Sequence, residues 1–356
     1  MFKIKFDMQS FIFYIFVSFL VIVLIVALYE ILFHVPIRDH NKQKNLKRTS
    51  AIYKIDFVHN PEYQITPYYM DLDIGDVIQV KRNSDVSNIR VVEIKAESRN
   101  YYRPRTKVTL DVDGYEHFAY CGMIDASQGG IGPIEVNGIK IGVEITKLVF
   151  SRTSKIRSFN SYQSFNLLKD VRLAIWDGSQ PILRNGLGLF IIEQPEWTLN
   201  KYGNWLHKTK YGLHSAIDIY ATNHGISEKV ISPVDGISFG YNKETPPDSE
   251  TLMKHVNVYS DDVVGPDGEK ILFRFLHLSK ILVSNGEHVK KGQIIGLTGH
   301  TGFKESIGDH LHFEIRLNPS HFGQKFNNDI LASIPVNSYY YLLEWWENRV
   351  NRKDNE

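Results

Sequence analysis

Apolar and polar residues alternate with a period of two along much of this chain, and this pattern restricts it to a β-rich fold. Successive side chains of a strand point to opposite faces, so the alternation is typical of a strand with one buried face. Similar runs end at the Asp113-Gly114 and Asp177-Gly178 pairs. The clearest run follows Asn137-Gly138, a pair suited to a tight hairpin turn, and consists of Ile139, Ile141, Val143 and Ile145. The sequence therefore predicts a mainly β fold in which residues 51–195 form an all-β module.

A second β-rich region is predicted over residues 196–334. Its turn pairs are Asp235-Gly236, Asp267-Gly268 and Lys291-Gly292. The tail, residues 335–356, has a cluster of aromatic residues from Tyr339 to Trp346, followed by basic residues. This pattern predicts one helix packed on a domain, with a charged end.

The N-terminal region is apolar. The segment from Phe11 to Tyr29 contains no charged residue and is long enough, as a helix, to cross a bilayer core of about 30 Å. It predicts an uncleaved transmembrane anchor within residues 1–35, followed by a polar stalk over residues 36–50. Only Lys3 and Lys5 precede this segment, whereas a cluster of five basic residues follows it within residues 38–48. The positive-inside tendency alone would put the folded part in the cytoplasm, but large domains translocate despite local charge.

Composition excludes several classes of protein. With 356 residues, of which 43% are hydrophobic and 23% charged, the chain is long enough for two folded domains and is not a disordered protein. A formal net charge of +1 without a basic stripe argues against a nucleic-acid-binding protein. The single cysteine, Cys121, excludes both an internal disulfide and a thiolate metal cage.

The second β-rich region contains five residues of the types and order of a hydrolytic metal site: His214, Asp218, His277, His310 and His312. Nitrogen and oxygen ligands with an open coordination position are typical of catalytic zinc. On a strand, His310 and His312 share one face about 6.6 Å apart, so both can bind a metal or one can handle protons. His214 and Asp218 reach one ion only if the chain turns between them. His277 ends an apparent strand, on a face predicted to include Ile271, Phe273 and Phe275.

The order and context of these residues resemble the M23 family of zinc metallopeptidases, the lysostaphin-like or LytM-type enzymes that cleave peptide bonds in bacterial peptidoglycan. The resemblance covers residues 211–317, and its most specific segments include Val230–Gly236, Gly286–Gly299 and His310–Glu314. It implies an antiparallel β domain with one Zn²⁺ ion bound by His214, Asp218 and His312, and His277 and His310 as catalytic histidines. Because the implied substrate lies outside the cytoplasm, we expect a membrane-anchored protein of the bacterial envelope with its catalytic domain outside.

Three positions depart from the family pattern. Ala216 replaces the glycine usual between the first two ligands, so the turn must avoid positive φ or tolerate strain. Leu276 stands where a small residue is usual, and His300 where asparagine is common. These departures bear on substrate access and specificity more than on metal binding. Glu314 is open to two interpretations, a residue that orients a metal ligand or a solvated surface residue.

Two other functions fit parts of the sequence. A non-catalytic envelope protein of the same fold would bind or activate another wall hydrolase, but inactive relatives are expected to lack metal ligands, and here all are present. Residues 51–195 could position or occlude the active site, bind the wall polymer or act as a spacer, and an envelope regulator is a candidate partner. A lipoyl- or biotinyl-type carrier has a hairpin like Gly286–Gln293 and needs a lysine at a tight turn, for which Lys254 is a candidate. It leaves the five-residue set unexplained.

Overall fold

The computed structural model describes much of the chain beyond residue 49, in the ranges 50–57, 64–97, 105–122, 132–149, 167–180, 182, 208–209, 212–220, 227–266, 268, 270–302, 309–317 and 333–342. These residues belong to one compact unit. The expected membrane anchor, residues 1–35, lies outside the described residues, as does the expected stalk apart from Ser50. Within the described ranges, none of the helices combines the length and apolar character that crossing a bilayer requires.

The fold is mainly β, as the alternation predicts. In the part of the chain that the structure describes before residue 183, the strands are β1 (Ile52–Asp56), β2 (Gln64–Ile65), β3 (Tyr68–Leu72), β4 (Val77–Arg82), β5 (Asp85–Ala96), β6 (Arg105–Val112), β7 (Tyr115–Gly122), β8 (Ile134–Val136), β9 (Ile139–Thr146) and β10 (Val171–Asp177). Residues 147–149 are helical and follow β9 directly.

The upstream strands form two sheets, with the orders β1-β4-β5-β6-β7 and β3-β10-β9-β8. The β1–β4 pair is parallel and the others are antiparallel. The predicted hairpin turn at Asn137-Gly138 is present, with φ of 53° and 72°. Positive φ at both central residues gives such a turn the twist of its flanking strands. The side chains buried between these strands include Ile78, Val80, Val108, Leu110, Ile141 and Leu173.

The second half supplies a larger sheet. Its described strands are β11 (Lys208–Thr209), β12 (Gly212–Leu213), β13 (Ile217–Tyr220), β14 (Lys229–Ile231), β15 (Gly236–Tyr241), β16 (His255–Val264), β17 (Lys270–Leu276), β18 (Lys280–Ile281), β19 (Glu287–Val289), β20 (Ile294–Leu297), β21 (His310–Leu317) and β22 (Ile334–Val336). The main pairing order is β13-β21-β17-β16-β15-β19, to which β2 and β22 add by pairing with β16 and β21. Small sheets β14-β20-β18 and β11-β12 complete the region.

One predicted turn is displaced by a residue, because the chain bends over residues 233–235 and not at the Asp235-Gly236 pair. Gly236 begins β15 and pairs with Ser260 and Val289, so it lies inside the large sheet. A Cβ at this position would lie 2.3 Å from the carbonyl oxygen of Tyr259. Glycine is therefore required here by the close approach of a neighbouring backbone and not by a left-handed conformation.

Within the described ranges, two segments link the upstream sheets to the large sheet through strand pairing. Upstream, β2 runs parallel to β16, and the Thr66 N–H donates to the Val264 carbonyl at 3.0 Å. Downstream, β22 pairs with β21, and residues 338–342 are helical. The helix predicted for the tail thus begins at residue 338, and residues from 343 onward lie outside the described ranges.

The helical segment packs on β9 through what we call the junction, defined as Tyr69, Glu144, Asn337, Tyr340 and Tyr341. Glu144 Oε2 accepts a hydrogen bond from the Asn337 backbone N–H at 2.6 Å. The Tyr340 hydroxyl donates to the Val143 carbonyl at 3.2 Å, and the hydroxyls of Tyr69 and Tyr341 are 2.8 Å apart. The Tyr340 ring lies over Gly142, where a Cβ would come within 2.4 Å of it. Packing on a glycine lets the aromatic ring reach the strand backbone.

Candidate metal centre and active site

The sheet register brings two predicted metal ligands side by side. Asp218 in β13 is directly paired with His312 in β21. Paired residues of antiparallel strands point to the same face, so both side chains lie on one face of the large sheet. His214 precedes β13, and the chain bends at Ala216, which is fully buried and is not among the non-glycine residues with positive φ. The turn required between His214 and Asp218 therefore forms without left-handed strain.

The three ligand atoms are close together. His214 Nε2 is 2.9 Å from His312 Nδ1, and Asp218 Oδ1 is 3.2 Å from His214 Nε2 and 3.1 Å from His312 Nδ1. Tetrahedral ligands at about 2.0–2.2 Å from a zinc ion are about 3.3 Å apart, so this triangle has nearly the required size. Asp218 Oδ1 is buried, and neither imidazole approaches it with hydrogen-bond geometry. The three residues fit a divalent metal such as zinc, and they form a group that could hold an ion.

The electrostatics of the cluster favour a cation. Burial raises the pKa of Asp218, but attraction from His214 and contacts with His312 outweigh it and hold that pKa well below its ordinary value. Burial lowers the pKa of His312, but contacts with Asp218 and Glu314 outweigh it and raise the pKa to about 9. The first shift keeps Asp218 ionised, and the second shows that positive charge is stabilised beside it, where a bound metal would compete with a proton.

The two predicted catalytic histidines lie beside this cluster. The ring of His277 is 4.9 Å from the ring of His310 and 5.4 Å from that of His312, centroid to centroid. His310 begins β21, and its backbone N–H donates to the Gly299 carbonyl at 3.0 Å. Both histidines are buried. The structure thus brings all five predicted residues into one site.

The backbone of His277 explains how its ring reaches the site. Ile271, Phe273 and Phe275 pair with Leu317, Ile315 and Phe313, whereas Leu276 pairs with His312. The prediction that His277 shares a face with the first three is therefore wrong, because the site lies on the opposite face. His277 has a φ of 65°, which ends the alternation and turns its ring toward His312. A left-handed histidine costs about 1–3 kcal/mol, and such strain is frequent at functional sites.

His277 is also fixed in one tautomer. Its Nδ1 lies 2.8 Å from the Thr301 carbonyl oxygen, which only accepts, so Nδ1–H donates and the lone pair of the neutral ring is on Nε2. Burial, and then the neighbouring His312 and His310, hold the pKa of His277 well below its ordinary value. His277 is therefore a neutral imidazole at neutral pH.

The sequence left Glu314 undecided, and the structure buries it. Glu314 Oε1 is 3.1 Å from His312 Nε2, while Oε2 is 2.5 Å from Arg274 Nη1 and 3.1 Å from Arg316 Nη1. Sequence reasoning missed both arginines. The signal for Arg274 was a charge between Phe273 and Phe275, and for Arg316 its period-two spacing from Glu314.

The positions that depart from the family pattern lie around the site. Leu276 is buried beside His312 in the register. His300 Nδ1 is 2.6 Å from Asp309 Oδ1, close to where β21 begins. Lys254 is buried, and its Nζ donates to the Ser279 carbonyl at 2.8 Å. A carrier needs an exposed attachment lysine, so this contact argues against the carrier interpretation.

Comparison with known proteins finds the family that the sequence resembles. Residues 212–324 match the family described as Peptidase family M23. Peptidoglycan DD-endopeptidase ShyA of Vibrio cholerae is 36% identical over 119 residues, which are 32% of this chain and 27% of that protein. Stage II sporulation protein Q of Bacillus subtilis is 36% identical over 72 residues, 19% of this chain and 25% of that protein. The solved catalytic domain of lysostaphin from Staphylococcus simulans has 26% identity and a TM-score of 0.26, with coverage of 37% of this chain and 81% of that chain.

Each of these similarities covers less than two fifths of this chain, and the chain spans about a quarter of the length of the two curated relatives. The matched residues nevertheless include the whole five-residue site. Residues 212–324 therefore match peptidase family M23, and the large sheet brings His214, Asp218 and His312 of this region together.

Proposed function

We propose that this protein is a zinc-dependent endopeptidase that hydrolyses peptide cross-links of bacterial peptidoglycan. The observation that carries the proposal is the triangle of His214, Asp218 and His312, with ligand atoms 2.9–3.2 Å apart, next to two further buried imidazoles. The peptidoglycan substrate is supported by the similarity of the M23 domain to a protein named peptidoglycan DD-endopeptidase.

The residues divide into metal ligands and proton carriers. His214 Nε2, Asp218 Oδ1 and His312 Nδ1 would hold the ion. A zinc ion held there supplies Lewis acidity, which polarises a peptide carbonyl and makes water more acidic. His277, neutral and with its lone pair on Nε2, takes a proton from the attacking water and passes it to the leaving amine. His310 lies close enough to His277 to share these tasks.

A place in the cell envelope follows from the same substrate. The apolar segment from Phe11 to Tyr29 supports a membrane anchor, and a wall substrate supports a catalytic domain outside the cytoplasm. This part of the proposal depends on sequence alone, because residues 1–49 lie outside the described ranges.

A second candidate function is a non-catalytic envelope protein that binds or activates another wall hydrolase. One observation favours it, the similarity to Stage II sporulation protein Q, whose name describes no peptidase. The complete set of ligands and histidines argues for the enzyme. The two candidates differ in whether purified protein cuts its own substrate.

The test combines metal content with digestion. We expect about one zinc per chain by elemental analysis, and muropeptide analysis of digested sacculi should detect new free amines where cross-links were cut. The His312→Ala variant should lose both the bound zinc and the digestion of sacculi. His288→Ala, an exposed histidine paired with Asp261 at 2.8 Å, is the matched control and should keep both. Equal digestion by wild type and His312→Ala would contradict the metal mechanism, and zinc binding without any cleavage would favour the non-catalytic function.

A further inference from the structure

A buried carboxylate lies directly behind the metal ligand His312. Glu314 is 5% exposed, two residues further along β21, and its side chain lies on the same face as His312. Its Oε1 is 3.1 Å from His312 Nε2. The two nitrogens of this imidazole therefore face different partners, since Nδ1 faces His214 and Asp218.

This contact selects the nitrogen that binds metal. Both ring nitrogens of His312 face a carboxylate, but only Nε2 forms a hydrogen bond with its carboxylate, that of Glu314. A neutral imidazole carries one proton and a carboxylate only accepts, so the proton is on Nε2. The lone pair is then on Nδ1, which points into the ligand triangle. Without a carboxylate behind the ring, His312 could flip or take the other tautomer, and either change would remove a ligand.

Two arginines hold the carboxylate in place. Glu314 Oε2 accepts hydrogen bonds from Arg274 Nη1 and Arg316 Nη1, and both arginines are buried. Arg316 Nε in turn donates to Ser333 Oγ at 2.7 Å. A carboxylate held by two buried guanidiniums has little freedom to rotate, so the ring it contacts is fixed as well.

We propose that Glu314 is a positioning residue for the metal site, which fixes His312 so that Nδ1 faces the ion. The inference depends on the metal ligands of the proposed function, but it concerns the affinity for metal and not the reaction. A purely structural Glu314 would support the fold and leave the affinity for zinc unchanged.

The test measures zinc affinity by competition with a chromogenic chelator. Glu314→Ala should bind zinc about 10–100-fold more weakly than wild type, as is typical when the hydrogen-bond partner of a ligand is removed. The Glu314→Gln variant should lose less zinc affinity, because its amide oxygen can still accept a hydrogen bond from His312 Nε2. Glu144→Ala is the matched control, since it removes an equally buried glutamate whose carboxylate contacts the Asn337 backbone at the junction, and it should keep wild-type affinity. Wild-type affinity in folded Glu314→Ala would overturn the proposal.

A second measurement requires no substitution. In zinc-loaded wild-type protein with ¹⁵N-labelled histidine, we expect the proton of His312 on Nε2 and the metal on Nδ1. A proton on Nδ1 would overturn the proposal even if the Glu314 variants do not fold. The proposed function fails separately, because a protein that binds zinc with this tautomer but cuts no peptidoglycan would refute the peptidase and leave the role of Glu314 intact.

Discussion

Two glutamates, Glu144 at the junction and Glu314 behind the metal ligands, are equally buried and behave in opposite ways. Their exposures are 1% and 5%. Burial raises the pKa of Glu144, and a hydrogen bond from the Asn337 backbone and the charge of Arg172 only partly offset it, so the pKa is about 8. Burial also acts on Glu314, but Arg274 and Arg316 outweigh it and hold that pKa well below its ordinary value. The charge of the partners, and not the depth of burial, decides the state of a buried carboxyl.

The comparison separates two tasks within one compact unit. The junction keeps a neutral carboxyl among tyrosines and joins segments distant in sequence, so its substitutions should affect stability. The metal site keeps charged groups paired around a cation position, so its substitutions should affect zinc binding and turnover. A variant that moved both properties equally would break this separation.

The largest expected effect is on turnover alone. His277→Ala should lower peptidoglycan cleavage by about 10²–10⁴-fold, because it removes a proton carrier, while zinc content stays near wild type. Digestion rates and elemental analysis of the same preparation check both parts. If zinc is lost together with activity, His277 belongs among the metal ligands.

The next effect is on stability alone. Tyr340→Ala removes a fully buried ring and should lower the free energy of unfolding by about 3–5 kcal/mol, measured with denaturant. Tyr340→Phe keeps the ring, loses the bond to the Val143 carbonyl, and should cost about 1 kcal/mol. Zinc affinity should stay unchanged in both folded variants, and a large loss of affinity would show that the junction also supports the site.

The third prediction concerns pH. Because the folded-state pKa of Glu144 is about 8, above its ordinary value of 4.5, the folded protein binds the proton more tightly. The stability from this group is fully present below about pH 4.5 and is lost as pH rises through about 8. Glu144→Gln should therefore gain stability relative to wild type over this window, by up to a few kcal/mol. Denaturant midpoints of both proteins at pH 5 and 8.5 check it, and a constant difference would contradict the raised pKa.

The smallest expected effect comes from one added methyl group. Gly142→Ala places a Cβ within 2.4 Å of the Tyr340 ring and should cost about 1–3 kcal/mol of stability. In the Tyr340→Ala background the same substitution should cost much less, because the clash is gone. Equal costs in both backgrounds would mean that the ring does not lie over Gly142.

The sequence predicted local features well and long-range ones poorly. Period-two alternation identified β9, and the Asn-Gly turn before it has the expected positive φ. The types and order of the five site residues marked one site, because a metal centre restricts chemistry strongly. The pairing of Asp218 with His312 could not be predicted from the sequence, because strand register depends on contacts between segments far apart in the chain. The left-handed His277 and the two arginines around Glu314 are likewise set by tertiary packing.

The parallel addition of β2 to β16 has a practical consequence for the design of a shortened protein that contains the five-residue site. A piece cut at the boundaries expected from sequence, residues 196–334, would leave Val263 and Val264 of β16 without their partners in β2 and would discard most of β22. Unpaired backbone groups at an exposed strand edge promote association between copies of the protein. A shortened protein should accordingly run from residue 50 through at least residue 342, which keeps β1 on β4, β2 on β16 and β22 on β21.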